Sequence, residues 1–262
     1  MPEQAPVAPT RTPVITVVQH DADVPLDRFA GWLEGVELRT VRAWEGRPVP
    51  TDPAQVGDGL LVLGGHTNAY ADDVAPWLPA TRSLLAAAVA AGVPTLGICL
   101  GAQLLAVACG GRVEVAAPPG RESGIVDVRW RPGAAQDPVL GACAAAGTTP
   151  APSMHADAIV ELPRGAAWFG ASAMYPYQAF RVGTAWGVQF HPEAGRATLR
   201  AWADQYDGVD TGAVLDAFDA RADDLGSAGR AIASGFAAVV HRSARQSVVS
   251  GTRSSASTMV YA

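Results

Sequence analysis

The 262-residue chain contains no lysine; all 19 of its basic residues are arginines. A phosphate-cradling GxxxxGK[ST] loop needs that lysine, so nucleotide chemistry of the P-loop type is excluded. Acidic residues number 25, the formal charge is -6 and the pI is near 5.3. Such a balance argues against nucleic acid as a partner. Cysteine is scarce, with only Cys99, Cys109 and Cys143. An odd number at unrelated spacings is no disulfide framework, and no CxxC or Cys/His cluster offers a metal site. Cys109 lies too far along one expected helix from Cys99 to pair with it. No apolar run is long enough to span a membrane. The opening MPEQAPVAPTRTP lacks the apolar core of a signal peptide. A cytoplasmic, reducing setting is the expectation, with no cofactor and no membrane partner.

What is present is an apolar fraction of 49%, enough for a sizeable core. Residues 1–12 read as a disordered leader, 13–242 as one domain, and the Ser-rich 243–262 as a flexible tail. Residues 14–19 (VITVVQ) form a β-branched run bounded by Pro13, the pattern of a buried strand. Helical spacing follows over 26–35, then strands over 37–43 and 58–63, then a helix over 77–91. Strands alternating with helices predict an α/β fold. It is a three-layer, open, mostly parallel sheet with flanking helices. Between residues 112 and 182 the strands become short and Gly/Pro-punctuated, so a small antiparallel section is expected there. Helices are expected over about 196–242, specifically 199–206 and 211–240.

Sheets of this kind hold their sites at the C-terminal ends of the strands. One such end is the stretch 93–112, VPTLGICLGAQLLAVACGGR. A short apolar run reaches Cys99, a helical pattern leaves it, and Gly97 and Gly101 flank it. That is the pattern of a nucleophile elbow, which lifts a side chain above the sheet at a helix N-terminus. Alone, the same pattern also fits a buried structural cysteine.

A thiolate nucleophile needs a base and an orienter for that base. His191, at the end of the apolar run 185–190, and Glu193 supply both. Pro192 between them stiffens the backbone. An oxyanion needs donors. The Leu100 N–H follows the nucleophile, and the Gly64-Gly65 turn, through Gly65 N–H, is the second source. Gln103, one helical turn beyond Cys99, places an amide on the same face for a polar substrate group. His66 is placed at the mouth of the site, and His155 with Asp157 at its edge. His20 reads as a solvent-facing loop residue.

Gly97-Ile98-Cys99-Leu100-Gly101-Ala102-Gln103 resembles the GxCxGxQ signature of class I (triad) glutamine amidotransferases. Gly187-Val188-Gln189-Phe190-His191-Pro192-Glu193 resembles their GxQFHPE signature. Further likeness to the amidotransferase domain of GMP synthases lies in SMHADAIVELPRGA and YQAFRVGTAWGVQFHPEA. The resemblance implies a flavodoxin-like amidotransferase fold. It implies Cys99 as nucleophile, His191 as base and acid, and Glu193 as orienter. Gly65 and Leu100 become the oxyanion donors. Gly64, Gln103, His155 and Asp157 become the substrate-binding residues. Gly64-Gly65-His66 departs from the family's usual diglycine-proline turn. No SGGxDS-type pyrophosphatase loop follows, so the resemblance implies ammonia delivered to a synthetase partner in trans. A γ-glutamyl peptidase, or a non-catalytic module on the same scaffold, are the alternatives.

Overall fold

The computed structural model describes residues 11–256, with side chains through Gln246. The expected leader falls mostly on residues 1–10, outside the described residues. Arg11, at its end, grips the Asp58 carboxylate with both guanidinium nitrogens at 2.7 and 2.5 Å.

The first half is built from β1 (Val14–Gln19), α1 (Phe29–Trp32), β2 (Glu37–Arg42), β3 (Gly59–Val62), α2 (Leu78–Ala90), β4 (Thr95–Ile98) and α3 (Leu100–Ala108). The second half holds β5 (Arg112–Glu114), β6 (Glu122–Trp130), α4 (Gly141–Ala144), β7 (Thr148–His155), β8 (Ala158–Glu161), β9 (Ala167–Ala171), β10 (Ala179–Val182) and β11 (Ala185–Val188). Helices α5 (Arg196–Ala203), α6 (Thr211–Ala220) and α7 (Ala222–Ala256) close the chain.

Nine strands form one sheet in the order β2-β1-β3-β4-β11-β10-β9-β6-β7. The pairings from β2 to β11 are parallel. Those from β11 onward are antiparallel, so the antiparallel section continues the parallel sheet. Strands β3, β4 and β11 are buried along their whole length, as parallel strands covered on both faces must be. On one face α2 and α3 press Leu84, Leu85, Leu104 and Leu105 onto the sheet. On the other, α1 and α7 bring Phe29, Trp32, Ile232, Phe236 and Val240. Among the described residues no helix is long and apolar enough to cross a membrane.

Three local expectations differ from the structure. The helix over 26–35 shrinks to the single turn of α1, preceded by Asp27 at φ +45. The helix over 211–240 is divided at Arg221, where φ is -128 and the guanidinium turns to Asp127 at 2.7 Å. Helix α7 continues through Ala256, so residues 243–256, expected as tail, are helical.

Register explains where the site forms. In β4 and β11 Ile98 pairs with Val188, and in β3 and β4 Val62 pairs with Gly97. The residues immediately beyond these three strand ends therefore emerge side by side. They are Leu63-Gly64-Gly65, Cys99, and Gln189-Phe190-His191.

Candidate active site

Cys99 caps α3 with φ +50 and ψ -108, a conformation costly for a residue with a side chain. Its neighbours make the turn possible. A Cβ on Gly97 would stand 2.5 Å from the Gly101 carbonyl oxygen, and one on Gly101 would stand 2.1 Å from that of Val62. The helix thus sits directly on the strand ends. Gly101→Ala is expected to cost about 3 kcal/mol by overpacking, a fall in Tm of roughly 10 °C for a chain of this size. An unchanged thermal melt would contradict this packing account.

His191 is 3% exposed and Glu193 is fully buried. His191 Nδ1 lies 2.7 Å from Glu193 Oε1. Burial opposes an imidazolium there, but the Glu193 carboxylate and the neighbouring Cys99 sulfur favour it and win, pushing the pKa up to about 10. Gly64 lies against both groups. A Cβ on it would stand 2.9 Å from His191 Cε1 and 3.5 Å from Cys99 Cβ. Gly65 is packed as closely, with the Leu100 side chain and the Asp21 carboxylate each 2.8 Å from where its Cβ would be. Leu100 opens α3, so its N–H has no acceptor within the helix.

Cys99, His191 and Gly65 line a hollow of about 20 Å³ together with Met154, Trp202 and Tyr206. The hollow has room for one water. His66 lines its mouth, as expected. Its ring nitrogens meet Asp23 at 2.9 Å and the Tyr206 hydroxyl at 3.3 Å.

Other expected residues lie elsewhere. Gln103 is 3% exposed, and its Nε2 meets the Asp157 carbonyl oxygen at 3.0 Å and Gln189 Oε1 at 3.3 Å. His155 and Asp157 do not line the hollow. His155 Nε2 faces Glu122 Oε2 at 3.1 Å, its cross-strand partner in β6 and β7. The Asp157 carboxylate accepts from Ala116 N–H at 2.8 Å. His20 is fully buried, not solvent-facing. Its Nδ1 accepts from Trp77 Nε1–H at 3.0 Å, and burial pushes its pKa down to about 4.

Comparison with known proteins finds relatives in both sequence and overall fold. The family model for glutamine amidotransferase class-I matches residues 35–201, more than half of the chain. The chain belongs to the class I glutamine amidotransferase family. It is 32% identical over 171 residues to a GMP synthase [glutamine-hydrolyzing] subunit from Halobacterium salinarum, covering 62% of this chain and 84% of that one. It is 35% identical over 142 residues to GMP synthase [glutamine-hydrolyzing] of Streptococcus equi subsp. zooepidemicus. That match covers 52% of this chain but only 24% of the relative's length. A glutamine amidotransferase from Thermotoga maritima shares the fold with a TM-score of 0.76 at 22% identity, covering 87% of this chain and 99% of that one. One from Methylobacillus flagellatus does so with a TM-score of 0.74 at 24% identity, covering 86% and 94%.

In this amidotransferase several residues near the sulfur escape a reading of motifs. Trp202 packs on the His191 ring at 4.5 Å between centroids, and its Nε1–H donates to the Asp23 carbonyl oxygen at 2.8 Å. Gln189 places its Nε2 3.7 Å from Cys99 Sγ. Glu122 is a buried carboxylate with no counterpart in the expected site. Trp202 and Tyr206, which line the hollow, come from α5 and the segment after it, where amphipathic spacing marks an apolar face but not its target.

Proposed function

We propose that the chain is a cysteine-dependent glutaminase that supplies ammonia to a synthetase partner in trans. Cys99 thiolate attacks the side-chain carbonyl carbon of glutamine, forming the C–S bond. The oxyanion is held by the N–H groups of Leu100 and Gly65. His191 gives its proton to the leaving nitrogen as the C–N bond breaks, and ammonia departs. The γ-glutamyl thioester remains. His191, now neutral, takes a proton from water, whose oxygen attacks the thioester. Glutamate leaves, the sulfur departs as thiolate, and His191 is again protonated. Glu193 orients the imidazole and stabilises its charged form. No metal or organic cofactor enters this cycle.

The observation that carries this reading is the buried His191–Glu193 pair set against a cysteine held at positive φ on a helix N-terminus. Every proposed group lies just beyond the ends of three neighbouring strands, β3, β4 and β11, within the single domain we propose for residues 13–242. The likeness to a GMP synthase [glutamine-hydrolyzing] subunit supports a synthetase as the separate acceptor of ammonia. Trp202 packs on the ring of His191, the group proposed to protonate the leaving amine, and that crowding favours ammonia over a bulky amine. The panel that tests this compares glutamate release from glutamine and from a γ-glutamyl dipeptide. The expected kcat/KM is at least about tenfold higher for glutamine, an ordinary pocket discrimination. Faster dipeptide cleavage would assign the chain to γ-glutamyl peptidase chemistry instead.

A further inference from the structure

We propose that Gln189 is a positioning residue that holds the Cys99 thiolate through its side-chain NH2, and that Gln103 sets the orientation of that amide. The purpose of the device rests on the glutaminase reading, while its geometry stands independently. Gln189 follows Val188, which pairs with Ile98, so it emerges beside Cys99. Its backbone N–H donates to the Gln178 carbonyl oxygen at 2.9 Å, and its side chain is buried at 2% exposure.

A carboxamide has a donor end and an acceptor end, and the end facing the sulfur decides the effect. An NH2 stabilises a thiolate, whereas a carbonyl oxygen repels it. The neighbours determine which is present. The Asp157 main-chain carbonyl oxygen only accepts. Gln103, 3.0 Å away, must therefore turn its NH2 toward it. The same nitrogen reaches one end of the Gln189 amide at 3.3 Å, so that end is the carbonyl oxygen. The Gln189 NH2 consequently points at Cys99 Sγ, 3.7 Å away.

The network closes on a buried carboxylate. The Asp157 carbonyl oxygen also accepts from His155 Nδ1–H at 2.9 Å, and His155 Nε2 meets Glu122 at 3.1 Å. Gln178 donates its side-chain NH2 to Glu122 at 2.6 Å while its main-chain carbonyl oxygen receives the Gln189 N–H. Glu122, His155, Asp157, Gln103, Gln189 and Gln178 thus form one ring of hydrogen bonds. Ser153 and Ser172 complete the carboxylate's partners. Among the buried side-chain atoms of this ring Gln178 Oε1 alone lacks a partner, and a buried network connected in this way restricts its members to one orientation. It gives Glu122 and His155 a task although neither lines the hollow.

The test is the pH profile of iodoacetamide alkylation at Cys99, read by peptide mass in the full chain without glutamine. The other two thiols are read apart from Cys99, and burial pushes both up, Cys143 to about 12. Gln189→Leu is expected to move the midpoint of the Cys99 profile upward by about one pH unit, the loss of one hydrogen bond to a charged group. Gln103→Leu should move it in the same direction by freeing the Gln189 amide to turn. A folded Gln189→Leu protein whose profile coincides with the parent's overturns the proposal. Should that variant not fold, a parent-like profile for Gln103→Leu overturns it instead. Alkylation needs no turnover, so a parent that fails to hydrolyse glutamine would defeat the proposed function and leave this test intact.

Discussion

Cys99→Ala is expected to lower glutamine hydrolysis by about 10^4-fold or more, to the level left by binding and oxyanion stabilisation alone. The loss is large because no other group described near the hollow can form the acyl bond. His191 is committed to Glu193 at 2.7 Å, and His66 is held between Asp23 and Tyr206. The variant should remain folded, since alanine keeps the backbone path that Gly97 and Gly101 permit. Ammonia and glutamate assays beside a thermal melt check both halves. Parent-like hydrolysis in a folded Cys99→Ala protein would remove Cys99 from the mechanism.

Glu193→Gln is expected to reduce kcat by roughly 10^2- to 10^4-fold, the range for loss of an orienting carboxylate. The sign of its pH effect follows from the forces on His191. Burial pulls the imidazole toward its neutral form, and the Glu193 carboxylate, with the Cys99 sulfur, raises its pKa to about 10. Removing the carboxylate leaves burial less opposed, so the pKa falls. Transfer of a proton to leaving ammonia needs charged His191. The alkaline limb of the rate profile should therefore stand near pH 10 in the parent and move to lower pH in the variant. A pH–rate series on both proteins decides this. An alkaline limb unmoved by the substitution would show that Glu193 does not control His191.

Much of the fold is legible in the sequence because its signals are local. The β-branched run of β1, the short apolar runs of β3 and β4, and the spacing of α2 each follow from residues a few positions apart. The elbow is legible for the same reason, since the crowding of Gly97 against Gly101 belongs to one tight turn, whereas the crowding of Gly101 against Val62 depends on β3 lying alongside. What local pattern does not carry is adjacency. That β11 lies beside β4, bringing Gln189 to Cys99, follows only from the sheet order. His20 reads as a loop residue because polar sequence surrounds it, yet Trp77 and the Gly65 turn bury it. Gln103 reads as free to meet substrate because a helix pattern shows which face a residue occupies, not what already bonds its side chain. The single-turn α1 and the break at Arg221 are hidden because apolar spacing persists across both.

The central claim is that Cys99 carries a γ-glutamyl group during turnover. The most direct measurement is intact and peptide mass spectrometry of enzyme quenched in acid while hydrolysing glutamine. The account predicts a fraction of chains heavier by one γ-glutamyl group on the peptide containing Cys99, and none in Cys99→Ala. Active turnover with the adduct on another residue would contradict it. So would labelling that persists unchanged in Cys99→Ala.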